Sequence, residues 1–231
     1  LHSWLPTASV APTPVTALLH AVAVVKAGAF AIIRLIYYSY GTAFIKDTWA
    51  QNLVMFIAMF TILYGSMTAL RQRHFKRRLA YSTVSNLSYI VFAATVMTEA
   101  GLVAAFCHLL FHSVIKIGAF FAAGAVLHKT EREYIEELEG IGRKMPLTFI
   151  FFGVSALSLT GIPPFCGFIS KWYLALASIE AENPLAIAGV VILLISAFLT
   201  AMYMLSPVIK AFFSRKDSAN NIDNVKEANA L

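Results

Sequence analysis

Six long apolar runs dominate this chain, and they leave few folds open to it. Five of them, Val15 to Tyr38, Gln51 to Leu70, Leu79 to Met97, Leu102 to Leu127 and Ala186 to Phe213, each supply the ~20 mostly apolar residues that carry a helix across a bilayer. A sixth, Pro146 to Ser178, is apolar throughout but is interrupted by Gly161-Ile162-Pro163-Pro164. Adjacent prolines remove two backbone donors and clash with the preceding turn, so the helix must break there. The sequence therefore predicts an all-α, polytopic membrane helix bundle of about six transmembrane segments. A broken helix within hydrocarbon is tolerated only where the freed backbone faces protein or a water-filled cavity. Ser158 to Lys171 is thus the first place to look for an ion pathway, with Gly161, Pro163 and Pro164 as its hinge.

Composition agrees. Of the 231 residues, 59% are hydrophobic and 13% charged, with a mean hydropathy of +0.73, far from the range of soluble domains. A net charge of +6 does not point to nucleic acid, because the basic residues sit in short loops rather than on one face. Their distribution is a topology signal instead. One set of alternate loops holds Arg71, Arg73, Lys76, Arg77 and Arg78, then Lys129, Arg132, Arg143 and Lys144, then Lys210, Arg215, Lys216 and Lys226; the opposite set holds Lys46 alone. By the positive-inside rule, loops 71–78 and 128–145 and the C-terminal tail are expected to be cytoplasmic, in an inner (cytoplasmic) membrane. Tyr37, Tyr38 and Tyr40 then anchor the outer interface, where Arg34 snorkels. The loop His128 to Met145, rich in both charges, reads as a solvated, partly helical connector. Cys107 and Cys166 lie in apolar segments without metal-type spacing and read as small core residues. The chain opens on Leu1 without a signal peptide's pattern and closes on a polar run, which suggests further segments at both ends.

An ionisable group at the bilayer centre costs at least ~2.5 to 3.5 kcal/mol on insertion scales, so each one requires a reason. Lys26, Lys116 and Lys171 fall within spans. Lys116 has two turns or more of apolar chain on either side, beyond the reach of snorkelling, and must face the protein interior. His108, His112 and Lys116 are spaced four apart and share one helix face. Imidazole exchanges protons near neutral pH, and a desolvated amine can do the same. Bridged by water, the three make a proton wire, which His20 extends sideways if its helix packs alongside. His20 as a simple helix-to-helix hydrogen bond is the competing reading. A haem is disfavoured, because residues four apart on one helix cannot bind opposite haem faces, and Cys107 points about 100° away from His108, against a shared metal. Every Asp and Glu lies in a loop or at a helix end, so a counter-ion for the lysines must come from elsewhere, or the lysines are largely neutral at rest.

The run His2-Ser-Trp-Leu-Pro through Ala11-Pro-Thr-Pro to His20, the Val24-Val-Lys-Ala-Gly that follows, Arg78-Leu-Ala-Tyr-Ser-Thr-Val-Ser-Asn-Leu-Ser-Tyr89, the His108/His112/Lys116 helix and Gly161-Ile-Pro-Pro-Phe-Cys-Gly-Phe-Ile-Ser-Lys171 together resemble the antiporter-like subunits of respiratory complex I. Mrp-type sodium/proton antiporters and membrane-bound hydrogenases share that family. The resemblance implies about fourteen helices in two inverted five-helix repeats, each with a broken helix. On that likeness residues 1–13 end the first repeat's broken helix, residues 14–213 form the second repeat, and 214–231 is a polar cytoplasmic linker to a further helix. It implies that Lys116 is the central lysine of proton transfer, that His20, His108 and His112 are its relay, and that Lys171 is the terminal lysine. Lys26 matches a lysine of Mrp-like and some hydrogenase-linked members. The implied partners are other membrane subunits of one complex, including homologous antiporter-like subunits, with protons or sodium as cargo and lipid around. No cofactor-binding, metal or catalytic motif is present, so any enzyme activity belongs to the assembled translocase. Two alternatives remain: a non-conducting structural membrane subunit, and a solute transporter with a midplane site.

Overall fold

The computed structural model describes residues 4–8, 11–213 and 226–227. The parts of the opening motif at 1–3 and 9–10, and most of the expected linker 214–231, lie outside the described residues. The chain runs α1 (Trp4–Ala8), α2 (Thr13–Ala21), α3 (Val24–Arg34) continuing as a wide π turn (Leu35–Tyr40), α4 (Thr42–Ile45), α5 (Trp49–Arg71), α6 (Phe75–Val96), α7 (Glu99–Thr130), a 3-10 turn (Ile135–Leu138), α8 (Ile141–Lys144), α9 (Pro146–Thr160), α10 (Cys166–Glu180) and α11 (Pro184–Phe213). Five spans, Thr13–Tyr40, Trp49–Arg71, Phe75–Val96, Glu99–Thr130 and Pro184–Phe213, are long and apolar enough to cross a membrane, and Pro146–Thr160 is a shorter apolar helix. The expected helical membrane bundle is what forms.

Helix ends follow local chemistry. Thr48 and Thr98 cap α5 and α7 by accepting the Gln51 and Gly101 amides, filling donors that a helix start leaves free. Proline opens α9 and α11, where a missing N–H costs nothing. Gly161, at φ +91°, ends α9 in a left-handed conformation that a side chain would resist.

α6 is the hub. Within its apolar window 83% of the residues are buried inside the bundle, against 28% to 44% in the other spans. That explains why this span can be the least apolar of the five: Ser82, Thr83, Ser85, Asn86 and Ser88 face protein, not lipid. Exposed Phe56, Phe60, Phe151, Leu194 and Phe198 instead form the lipid-facing shell.

The basic loops meet at one end. His74 and Tyr134 form an isolated antiparallel bridge, Phe75 donates its amide to the Glu133 carbonyl, and Ile135 donates to Arg73. Loops 71–74 and 131–138 therefore share a face, as their charge predicted. The second loop is less solvated than expected. Ile135, Leu138, Ile141 and Met145 are fully buried and plug the core beneath it. At the opposite end Gln51 donates to the Thr95 carbonyl, Tyr37 to the Thr98 carbonyl, and Asn183 to Asn52. Arg34 is exposed there, its guanidinium 5.9 Å from the Phe30 ring centroid.

One expectation requires correction. Val15 to Tyr38 was read as one continuous helix, but it breaks at Val22-Ala23, where both amides turn back to the Leu18 carbonyl. Lys26 follows His20 by six positions, so an unbroken helix would aim them about 120° apart. The break lets both be buried.

A buried line of amines and imidazoles

Lys116 is fully buried near the middle of α7, with His112 and His108 buried one and two turns before it, respectively. The shared face read from their spacing is the face that meets α6, α9 and α10. The imidazole rings of His108 and His112 stack, 5.9 Å apart and inclined by 16°.

These groups fall into two strings, the first joined from His112 to His108 by ring stacking and with no hydrogen bond from His108 to Lys171. In the first, Lys26 reaches from the first turn of α3 across to α7 and hydrogen-bonds His112 Nδ1. No sequence signal pairs residues 86 positions apart, and this contact was not foreseen. His112 Nε2 is buried and has no hydrogen-bond partner among the described residues. Beyond it, His108 is fixed in orientation. Asn86 donates its amide N–H to the Ser82 carbonyl at 2.8 Å, which leaves its oxygen to accept from His108 Nε2 at 3.2 Å. His108 Nδ1 lies 2.9 Å from the Ser170 hydroxyl, on α10, whose single proton is shared between that ring nitrogen and the Gly167 carbonyl at 3.2 Å.

Lys171 stands at the end of this string. Its ammonium donates to the carbonyls of Leu159 and Thr160, both at 2.8 Å, and lies 5.4 Å from the Tyr89 ring centroid. The break in the helix thus supplies the lysine's ligands: the last carbonyls of α9 are free, and a cation belongs at a helix C-terminus. Gly161 and Gly167 make room. A Cβ on Gly161 would sit 2.9 Å from the Lys171 stem, and one on Gly167 would lie 1.7 Å from the Ser158 carbonyl oxygen. Gly167 was not singled out as part of the hinge, although its place in the Cys-Gly step after the prolines signalled it.

In the second string Lys116 turns away from the histidines. It donates to the Leu79 carbonyl and the Ser82 hydroxyl, both at 2.9 Å. Tyr203 donates to the same Ser82 hydroxyl at 3.0 Å. Pro207 in α11 lacks the N–H that would bond the carbonyl of Tyr203, and Arg78 donates to that carbonyl in its place at 3.1 Å. Arg78 also binds the Gln72 and Leu70 carbonyls at the end of α5. Tyr203 thus stands between Lys116 and the basic loop, its hydroxyl on Ser82 and its backbone carbonyl on Arg78, with no hydrogen bond joining the two ends. Ser82, Tyr203 and Arg78 were missed because hydroxyls and a loop arginine are ordinary in sequence; their place on the hub and beside Pro207 marks them.

His20 stands apart from both strings. Its ring nitrogens face the carbonyls of Thr16 at 2.9 Å and Leu5 at 3.0 Å, and its ring packs 5.1 Å from Phe120. The Lys116 ammonium lies 5.9 Å from the centroid of the same Phe120 ring. No described carboxylate hydrogen-bonds or ion-pairs with Lys26, Lys116 or Lys171; carbonyls, hydroxyls and an imidazole take that place. Against His108 and His112, the broken helix forms a crevice of about 170 Å³ walled by Ser158, Leu159, Gly167 and Ser170, too tight throughout for a water molecule.

Fold and site together define a multi-pass membrane protein with ionisable groups strung through its interior beside a broken helix. Residues 1–200 match the family described as NADH:quinone oxidoreductase/Mrp antiporter, transmembrane, and the chain belongs to that family. It is 40% identical over 213 residues to NADH-quinone oxidoreductase subunit N of Desulforudis audaxviator, covering 92% of this chain and 42% of that protein. With subunit L of Mycobacterium tuberculosis it shares 36% over 220 residues, 94% of this chain and 33% of the relative. Among solved structures, the Mrp complex from Dietzia sp. superposes with a TM-score of 0.82 at 28% identity, covering 92% of this chain and 39% of that one. An archaeal respiratory membrane complex, the membrane-bound sulfane sulfur reductase, gives 0.81 at 28% identity, with 96% and 45% covered. The chain thus spans less than half the length of these relatives, and the likeness runs to quinone oxidoreductase and Mrp branches alike.

Proposed function

We propose that this chain is the proton-translocating part of an antiporter-like subunit in a multisubunit membrane complex, with residues 14–213 as its second inverted repeat. The observation that carries this reading is Lys116, an amine buried completely in a membrane helix with carbonyl and hydroxyl ligands and, among the described residues, no carboxylate. Such a group is too costly to retain for packing alone. Membership of the family, whose named relatives are subunits of NADH-quinone oxidoreductase, supports it.

In this reading protons reach Lys116 from the basic, cytoplasmic end past Arg78, Tyr203 and Ser82. They cross one helical turn to His112 and continue through His108 to Lys171, with Lys26 holding or releasing a proton at His112. The crossing is closed in this state, because no hydrogen bond joins Lys116 to His112 and the crevice beside the rings admits no water. Slight withdrawal of the α9–α10 elbow would hydrate it. A change of charge in a neighbouring homologous subunit is a sufficient trigger, since two lysines in low dielectric interact over long range.

The test is Lys116→Ala in the full-length protein within its complex. Proton pumping should vanish while assembly and partner chemistry persist. Unchanged pumping removes Lys116 from the path and leaves the structural-subunit reading, under which Lys116→Met would be tolerated or would stabilise the bundle. Sodium dependence of the transport in vesicles separates a proton pump from a sodium/proton exchanger. Labelling of single cysteines placed at Arg73 and Lys46 from either side of the membrane tests the assigned orientation; Arg73 should react from the cytoplasmic side.

A further inference from the structure

The cytoplasmic-end cluster holds a buried cation that the transport reading does not use. Lys76, in the first turn of α6, is only 8% exposed, yet among the described residues it makes no hydrogen bond and no ion pair. The nearby Glu133 carboxylate is engaged by His74 at 3.2 Å. Lys76 lines a cleft of about 520 Å³ between the starts of α2 and α6 and the last turns of α7. At its mouth stand His128 and the N-terminus of α2. Pro12 and Pro14 carry no N–H there, so the donors of this turn are the amides of Thr13 and Val15, neither of which bonds a described residue outside the helix. The remaining wall is apolar or small.

This cleft continues into a second. A groove of about 350 Å³ runs on along α7 towards α9, and Phe121 and Ala125 line both. Gly118 and Ala122 floor the groove and Phe151 and Val154 flank it. Phe121 and Phe151 are exposed on the lipid-facing shell. A buried cation beside helix-terminal amides at the membrane rim, opening into an apolar channel that descends toward the bilayer centre, has the polarity of a phospholipid. Basic pockets between transmembrane helices on the cytoplasmic side take anionic head groups, and a helix N-terminus favours phosphate.

We propose that this cleft binds one anionic phospholipid, its phosphate held by the Lys76 ammonium and the first amides of α2, and one acyl chain lying along α7 past Phe121 and Ala125. A helix from a neighbouring subunit would fill the groove equally well with apolar side chains, but it would have to bring a carboxylate to Lys76. Lipid carries both parts in one molecule. The site ties α2, α6 and α7 together at the end where the basic loops converge, and it requires no transport to be observed.

The test uses the full-length protein in its complex, placed in nanodiscs of phosphatidylcholine with a minority of phosphatidylglycerol, and counts retained lipid by native mass spectrometry after mild delipidation. One phosphatidylglycerol should survive on the wild type. Lys76→Gln should lower its retention about fivefold, the loss expected of one basic contact, and Lys76→Arg should restore it. Ala125→Trp, which obstructs the groove and leaves the charge, should also lower retention. Excess inorganic phosphate should leave the retained lipid in place. Equal retention of phosphatidylcholine, indifference to both Lys76→Gln and Ala125→Trp, displacement by phosphate alone, or a partner helix seated in the groove of the assembled complex would each overturn the proposal.

Discussion

Two membrane spans of this chain are broken, and they differ in cause. The α9–α10 break is written locally: Gly161 takes a positive φ, two prolines cannot continue the helix, and Gly167 lets α10 touch the Ser158 carbonyl. The α2–α3 break has neither proline nor glycine at Val22-Ala23. Each nevertheless delivers a lysine into the interior, Lys171 onto the carbonyls that its break exposes and Lys26 onto the imidazole of a distant helix. The lesson is that a break can be caused by what must be reached as well as by residues unable to continue. His20 and Lys26 are both buried across this break, and the Val22 and Ala23 amides still bond the Leu18 carbonyl, so the interruption leaves neither donor unpaired.

The two lysines give the sharpest way to break this comparison. Both Lys26→Ala and Lys171→Ala should reduce proton transport to background in the full-length complex. Only Lys171→Ala should also loosen its elbow, because it leaves the Leu159 and Thr160 carbonyls without donors. Hydrogen exchange of the amides around residues 157–168 reads that difference, and equal protection in both variants would show that the elbow does not need its lysine.

Glycine substitutions should separate the breaks next. Gly167→Ala places a methyl against backbone oxygen and should cost more than about 3 kcal/mol, or prevent assembly. Gly28→Ala, in α3 with nothing within 4 Å of the new methyl, should be neutral or stabilise by up to about 1 kcal/mol. Between them, Gly161→Ala forces a side chain into a left-handed conformation and toward the Lys171 stem, and about 1 to 2 kcal/mol is expected. Thermal unfolding of the purified variants orders the three.

The smallest expected effect lies away from either break. Burial lowers the His74 pKa from its ordinary 6.5, while Glu133 opposes that shift. The unfolded chain then binds more protons than the folded one, so this contribution to stability is whole above pH of about 6.5 and declines as pH falls through it. Protection of the Phe75 and Ile135 amides should weaken from pH 7.5 to 5.5, and His74→Gln should flatten that dependence. A clasp indifferent to pH in the parent protein would show that the Glu133 contact cancels the effect of burial.

Much of the site was legible because lysine and histidine are conspicuous in apolar runs. His108, His112 and Lys116 declared a shared face by spacing, and Lys171 was marked by the break before it. Their partners were not legible. Ser82, Asn86, Ser170 and Tyr203 are unremarkable residues until the hub position of α6 and the approach of α10 and α11 bring them to the amines. The burial of Ile135 and Leu138 was likewise hidden inside a loop whose charges suggested solvent.

What the amino-acid sequence determined by itself is the number of apolar spans, the break at Gly161 to Pro164, the segregation of basic loops to one end and the presence of three amines with nothing acidic beside them. These follow from chain length against bilayer thickness, from proline's missing donor and from the cost of charge in hydrocarbon, all local quantities. The tertiary structure alone decided that Lys26 pairs with His112, that Lys116 looks to Ser82 rather than to the histidines, and that α2 and α3 part company. Those contacts join residues far apart in the chain, and the direction of a buried hydrogen bond depends on which helix packs against which.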